Sequence, residues 1–503
     1  MKREIPLEPD ITEVPVLVAG AGPAGLMTAL TLAAHGVECL LVERRTTAAS
    51  LPRATVLTTR TMELLRGFGL EAEVSAGGPD VDWTLLESET LARSAAGRIV
   101  PVGLPTREQS ALLSPTAPAC VPQDALEPLL LEHLRGLDGV HVETGREVTD
   151  VVLRPGEVHA TVRAVGGSSA RRVAARYLVA ADGPRSVVRA ALGLELRGPD
   201  DLMRGVAAVF RAPLWDLVGE RRHGIYTVTT PGAEGTFLPA GPDDRWGYGS
   251  SWRPGHDRPL ATDPAAVEER IRRGIGLAGL DVRLLRSGAF SAGAQLADRF
   301  RRGNAFLVGD AAHRVTPRGG TGLNMAMHDG HDLGWRLGFV LRGLAAHALL
   351  DRYEAERRPV AAHNAERSAD PLGSRRDPSD ELHADLAGRI PHVWLGGAGR
   401  RRSTLDMLGT ELTLFTGPDA APWRQAADRP SAGPVAVHVL DELPARALGI
   451  GRDGALLVRP DALPVALWRH RPEAGALERA VRRLAAGAPL AARPSRGAVA
   501  GGA

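Results

Sequence analysis

The sequence is short of three things, and each shortage removes a class of chemistry. Lys2 is its only lysine. A Schiff-base or buried-lysine mechanism therefore has no group to use except one on a loose terminus. Two cysteines, Cys39 and Cys120, cannot build a disulfide scaffold, and both sit in apolar stretches that read as core. There is no CxxC and no Cys/His cluster at metal-ligand spacing, so no metal is expected. An excess of one charge is also missing. The 61 basic residues stand against 59 acidic ones, a net of +2 that offers nucleic acid no field to follow. The abundance of alanine, glycine and arginine reads as codon bias.

No secretory signal is expected, because MKREIPLEPDITE is charged and has no apolar centre. The run from Val14 to Ala34 is apolar enough to raise a membrane span, but Gly20, Gly22, Pro23 and Gly25 interrupt it. A strand, a tight turn and a buried helix explain it better. The expectation is a soluble cytoplasmic protein without a membrane partner. With 503 residues and 44% hydrophobic composition, two or three domains with substantial cores are expected.

Val14–Ala19 (VPVLVA) reads as a buried parallel strand. Gly20-Ala21-Gly22-Pro23-Ala24-Gly25 follows as GxGxxG, and the next residues read as a helix closing at Gly36. A second strand, Val37 to Val42, runs into Glu43. The first glycine permits the turn, the second lets a pyrophosphate reach the backbone, and the third lets helix and strand pack closely. The helix N-terminus favours the phosphate charge, and Glu43 can accept from a ribose diol. The acid disfavours a 2′-phosphate at this site and leaves NAD or FAD.

Two later motifs choose between them. Ala175–Ala181 reads as a strand running into Asp182-Gly183, with Ser186 as a helix cap. Ala305–Val308 reads as a buried strand with Gly309-Asp310 at its carboxyl end, where ligands bind in open α/β sheets. Pro317 to Gly322 is a glycine-rich loop, and a helix starts at Leu323 and Asn324. Small residues at a helix start can lie flat against a planar ring, and the dipole favours negative charge there. Asp310 is placed to bond ribityl hydroxyls.

In these residues the chain resembles the FAD-dependent aromatic hydroxylases, the group A flavoprotein monooxygenases. GDAAHRVTPRGGTGLN follows the family's form, as do Pro52-Arg53-Ala54, Arg60-Thr61-Met62-Glu63-Leu64-Leu65 and Pro122-Gln123-Asp124. The segments Gly388 to His392, Ser403 to Asp406 and Pro464 to Arg469 look like the aromatic polyketide hydroxylases. The resemblance implies an α/β fold: a Rossmann-like FAD-binding domain of the para-hydroxybenzoate hydroxylase type, an inserted β-sheet substrate domain and a C-terminal thioredoxin-like domain. The expected boundaries are 1–190 and 286–385 for the FAD-binding parts, with a polar linker over 364–385, 191–285 for the insertion, and 386–503 for the last domain. It further implies that Gly20, Gly22, Pro23, Ala24, Gly25, Glu43, Arg44, Arg53, Gln123, Val148, Asp182, Gly309, Asp310, Pro317, Gly320, Gly322, Leu323 and Asn324 hold FAD. Pro317 would line the flavin's reactive edge and Arg53 would control the flavin's position.

With one GxGxxG, NAD(P)H would bind only transiently. Oxygen would add at flavin C4a and the distal oxygen would pass to an electron-rich ring carbon. Tyr226, Trp246, Tyr248 and Trp252 are the aromatics expected to touch an aromatic or polycyclic substrate. No general base is legible, since His223, His313 and His328 each read as structural. Baeyer–Villiger chemistry, a simple phenol substrate and a non-catalytic flavin or small-molecule binder remain as alternatives, in a monomer or homodimer. A flavin halogenase lacks its WxWxIP motif here.

Overall fold

The computed structural model describes residues 7–47, 54–220, 222–255, 257–373, 385–386, 388–396 and 401–489. Lys2, Arg53 and the final GGA lie outside them. The chain divides into two compact units, residues 1–341 with 353–388, and residues 342–352 with 389–503.

In the first unit, five strands run parallel in the order Ala305–Leu307, Ala170–Ala180, Leu7–Ala19, Cys39–Glu43, Val140–Thr144. Their apolar runs suit strands covered on both faces, and Val16, Leu17, Leu178 and Val179 are wholly buried. The first strand begins at Leu7 and its neighbour at Ala170, both ahead of their apolar runs. Polar residues there carry the backbone pairing beyond the covered part of the sheet, where hydrophobic pattern gives no signal. Val42, Ala19, Ala180 and Leu307 lie in one cross-strand row. The turns that follow these four residues therefore emerge together along one carboxyl edge.

The helix Pro23–Ala34 leaves the first of these turns, and the helix Gly322–Leu341 packs closely against it. Gly330, Gly334 and Gly338, spaced by four, make that approach possible. A methyl on Gly330 would lie 2.4 Å from the Ala24 carbonyl oxygen, and methyls on Gly334 and Gly338 would lie 2.7 Å from Thr31 and His35.

A second sheet has the order Arg283–Ala292, Met203–Arg211, Arg245–Trp252, Gly235–Pro239, His223–Val228, Asp82–Ser88, Arg98–Val100. It differs from a self-contained insertion over 191–285, since two of its strands precede residue 190 and another ends at Ala292. One face carries Phe210, Tyr226, Phe237, Trp246 and Tyr248, which pack with Val267 and Ile271 of the helix Pro264–Ile275. The helix Asp351–Ala369 enters the stretch that composition marks as a linker.

In the second unit, the strands Leu412–Thr416, Val435–Val439, Ala455–Val458 and Pro464–Trp468 form a sheet in the order second, first, third, fourth. The first two are parallel and the other pairings antiparallel. Helices Ala421–Ala427, Glu442–Ala447 and Ala476–Ala485 connect and follow them. Residues 342–352 join this unit, with the Ala346 N–H donating to the Ala485 carbonyl at 2.8 Å.

Candidate active site at the carboxyl edge of the parallel sheet

The glycine turn is closed at both ends and open in the middle. Gly20 has φ +106°, and a methyl on it would sit 2.3 Å from the Ala181 carbonyl oxygen. A methyl on Gly25 would sit 1.9 Å from the Gly20 carbonyl oxygen. At Gly22, the N-cap of the helix, an added methyl would meet nothing within 4 Å. Pro23 and Ala24 open that helix, and its first N–H groups have no partner within it. Glu43 stands beside the turn, accepting from the Ala21 N–H at 2.8 Å and the Arg45 N–H at 2.9 Å. Arg44 is exposed.

Asp182 follows the neighbouring strand, its Cα 3.1 Å from where a Gly20 methyl would be. One carboxylate oxygen accepts from the Val188 N–H at 3.1 Å, while the other is buried with no partner in the protein. Burial pushes this carboxyl above its ordinary range, against hydrogen bonds from Ser186 and the following backbone. Ser186 caps the next helix through the Arg189 N–H. Arg189 donates to the carbonyls of Pro184 at 2.9 Å and Ala311 at 3.1 Å, tying this turn to the next one along the edge.

That next turn holds Gly309 at φ +57° and Asp310, which is half-buried. A methyl on Gly309 would lie 2.9 Å from the Ala24 Cβ. Its N–H donates to Asp329 at 3.1 Å. Asp329 is completely buried and also lies 2.6 Å from His313 Nε2 and 2.7 Å from Arg357 Nε. Burial opposes its ionisation, but His313 and Arg357 outweigh it and hold the carboxyl at about 2. Tyr353 donates its hydroxyl to the Leu307 carbonyl at 2.7 Å. The turn bearing Asp310 is thus fixed from beneath by Asp329, a residue that sequence reasoning misses because an acid inside a helix normally reads as a solvated face.

The glycine-rich loop closes this side of the site. Pro317 is exposed, and its carbonyl accepts from the Gly320 N–H at 3.2 Å. Gly319 and Gly320 both take left-handed φ, +83° and +63°. Gly322 begins the long helix and Leu323 is buried in its first turn. The Asn324 side chain is fully used: it accepts from the Thr58 N–H and the Thr61 hydroxyl and donates to the carbonyls of Val56 and Gly320. Only its backbone is free to face a ligand, so the side chain is a clamp on the loop.

Gln123 opens the helix Gln123–Arg135, with its amide on Glu127 at 2.6 Å. Val148 is buried in a ribbon strand opposite Val162. His313 is engaged by Asp329 as described, His223 by the Thr84 hydroxyl at 2.7 Å, and His328 by the Thr61 hydroxyl at 3.0 Å. Burial holds His328 far below the usual imidazole range.

The aromatics need a correction. Tyr226, Trp246 and Tyr248 belong to the core under the helix Pro264–Ile275, with exposures of 0, 0 and 2%. Burial pushes both tyrosine hydroxyls up to about 12. Trp252 ends the same strand and is half-buried. Strand alternation sends Trp246 and Tyr248 inward and leaves Gly247 and Gly249 on the other face. That face also carries Ala207, Thr227 and Thr236, all half-buried, and a methyl on Gly249 would meet nothing within 4 Å.

These features fit FAD. The open cradle at Gly22 meets free helix N–H groups, an orphaned carboxylate oxygen stands beside it, and Glu43 and Asp310 flank it along one edge. The arrangement is that of an FAD-binding domain, and residues 13–368 match the family model described by that name. Residues 383–489 match the one described as aromatic-ring hydroxylase, C-terminal. The chain belongs to the FAD-dependent aromatic-ring hydroxylases, in the branch of the polyketide hydroxylases.

It is 33% identical to tetracenomycin A2 monooxygenase-dioxygenase of Streptomyces glaucescens, over 94% of this chain and 97% of that one. It is 34% identical to 4-methyl-5-nitrocatechol 5-monooxygenase of a Burkholderia species, over 94% and 96%. The ternary complex of aklavinone-11 hydroxylase with FAD and aklavinone superposes with a TM-score of 0.83 at 30% identity, over 95% and 99%.

Proposed function

We propose that this protein is an FAD-dependent monooxygenase that hydroxylates a fused-ring aromatic intermediate of the polyketide type with NAD(P)H and O2. The observation that carries the reading is the open cradle at Gly22, set between two glycines closed by protein, in a chain similar over nearly its whole length to enzymes of that activity. When bound, FAD supplies the reduction by NAD(P)H and the activation of oxygen.

The protein's own residues hold and shield. Gly22 and the first N–H groups of the Pro23–Ala34 helix take the pyrophosphate, Glu43 the ribose, and Asp310 the ribityl chain. Backbone N–H groups from Thr321 to Asn324, at the positive end of the long helix, would hold the ring and favour negative charge on it. Pro317 and Arg53 keep the roles the family resemblance gives them. The substrate ring lies along the half-buried sheet face of Ala207, Thr227, Thr236 and Gly249, which excludes water and orients the reacting carbon. We read the C-terminal unit as thioredoxin-like, a reading that its strand order supports. Both cysteines are in the other unit, so it performs no thiol redox chemistry. Among the described residues no helix is long and apolar enough to cross a membrane. The proposed use of NAD(P)H supports a cytoplasmic enzyme.

A monocyclic phenol is the second reading, favoured by the likeness to the nitrocatechol monooxygenase. Incubation of the FAD-loaded protein with NAD(P)H and ¹⁸O₂ separates the two. A tetracyclic phenol should gain one labelled oxygen and stimulate NAD(P)H oxidation, and a catechol should do neither. A folded, colourless protein that does not take up FAD would refute both.

A further inference from the structure

Composition marks 364–385 as a linker, yet residues in it hold the glycine-rich loop from two directions. Ser368, near the end of the helix Asp351–Ala369, is fully buried. Its hydroxyl accepts from the Thr316 N–H at 3.2 Å, and its carbonyl accepts from the Thr316 hydroxyl at 2.7 Å and from Arg318 at 3.3 Å. A methyl on Gly319 would lie 2.7 Å from the Arg367 guanidinium carbon, so the loop backbone rests on that side chain.

The second hold is a relay. Asp385 accepts from the Thr58 hydroxyl at 2.8 Å and from the Arg60 N–H at 3.1 Å. These groups open the helix Thr59–Gly67, whose N-cap Thr58 makes no capping bond with its own side chain. One of that helix's orphan N–H groups is thus satisfied from 325 residues away. The Thr58 N–H then donates to Asn324 Oδ1 at 2.9 Å, and the Asn324 amide donates to the Gly320 carbonyl at 3.0 Å. Thr58 and Asn324 are both buried, so water does not readily replace these bonds. Asp385 stands in the first unit, just ahead of Arg389, where the second unit begins.

We propose that Asp385 is a positioning residue for the flavin, acting through Thr58 and Asn324 to set the loop whose N–H groups meet the ring. This rests on the placement of FAD given under the proposed function. Reduced flavin carries the negative charge that those N–H groups favour, so a loosened loop costs the reduced form more than the oxidised one.

The test is the midpoint potential of FAD in the full-length, FAD-loaded protein, read by reductive titration against a reference dye. It needs no aromatic substrate, so its failure is told apart from failure of the hydroxylase reading. Asp385→Ala should disfavour reduced flavin about fivefold, a fall of about 20 mV for two electrons, the size of one charge at a helix end. Thr58→Val keeps the β-branched N-cap and should give a fall in the same direction. It serves alone should Asp385→Ala not fold. Adding Thr58→Val to Asp385→Ala should lower the potential no further, since the bond is already gone. Asp385→Asn removes the charge but can keep both hydrogen bonds with the Thr58 hydroxyl reversed, and it should recover most of the native potential. Variants that melt lower at an unchanged potential would overturn the proposal, because the role would then be structural only. Equal shifts in Asp385→Asn and Asp385→Ala would overturn it too, because the carboxylate's field would then be the cause.

Discussion

Substituting alanine at the second and third glycines of the turn separates folding from cofactor binding. At Gly25 the new methyl would lie 1.9 Å from the Gly20 carbonyl oxygen. Ordinary contact is about 3.4 Å, so two backbone segments must part by about 1.5 Å, at a cost of at least about 3 kcal/mol for overpacking with no flexible neighbour to yield. Gly25→Ala should therefore lower thermal stability or prevent folding even without cofactor. Gly22 has φ −77°, which alanine adopts freely, and the space around it is empty of protein. The reduced freedom of the unfolded chain gains about 0.5 kcal/mol and the poorer N-cap loses about as much, so Gly22→Ala should leave the apoprotein's stability nearly unchanged. A methyl in the cradle keeps a pyrophosphate off the helix N–H groups, and a loss of about 3 kcal/mol there is about a hundredfold in Kd. Apoprotein melting curves and FAD titration by flavin fluorescence read the two effects separately. Gly22→Ala protein that binds FAD with native affinity would refute the placement of the pyrophosphate.

Three further variants test the site. Asp329→Asn removes the charge that His313 and Arg357 share and loosens the Gly309 N–H; breaking such a buried pair costs about 3–5 kcal/mol, and the variant should melt lower and release FAD more readily. The fall of the Asp329 carboxyl from 3.8 to about 2 corresponds to roughly 2–3 kcal/mol of stability, present above pH 4 and lost as pH falls towards 2, so acid unfolding of the apoprotein should be less steep in Asp329→Asn. Asp385 accepts from the Thr58 hydroxyl at 2.8 Å and the Arg60 N–H at 3.1 Å, and burial pushes it up to about 6. Its sign is opposite: stability is full below pH 4 and declines as pH rises through 6, and Asp385→Asn should remove that decline in melting temperatures measured from pH 4 to 7. Gly249→Phe should leave FAD binding intact and raise KM for a fused-ring substrate at least tenfold, and an unchanged KM would move the substrate off that sheet face.

Much of the cofactor edge was legible because its chemistry is local. GxGxxG, the acid closing the second strand, Asp182-Gly183 and Gly309-Asp310 are each a few residues long, and each follows an apolar run that marks a buried strand. Their assembly into one edge needs only a parallel sheet in register. What supports them was not legible. Asp329 reaches Gly309 across twenty residues, and the same carboxylate joins Arg357 from another helix. The side chain of Asn324 looks like a ligand contact in sequence, yet its hydrogen-bonding capacity is spent on residues 56–61 and 320. Gly330, Gly334 and Gly338 are spaced by four, but their purpose depends on a partner helix three hundred residues earlier.

The second sheet shows why residue type misleads when period is ignored. In Trp246-Gly247-Tyr248-Gly249 the aromatics attract attention as ring-binding groups. Alternation means that if one aromatic points to a cavity, so does the other, and both glycines then face the covering helix. The core decides between the two possibilities. Val228, Phe237, Val267 and Ile271 need large apolar partners to fill the layer beneath the helix Pro264–Ile275, and Trp246, Tyr226 and Tyr248 supply them. The glycines must then lie on the opposite face, where the absence of side chains leaves a shallow floor. A flat polycycle needs such a floor more than it needs stacking partners, because each aromatic side chain added there would occupy the space of one of its rings. In this strand the residues that shape the candidate substrate face are therefore the two with no side chain, and the aromatics beside them hold the sheet to its helix.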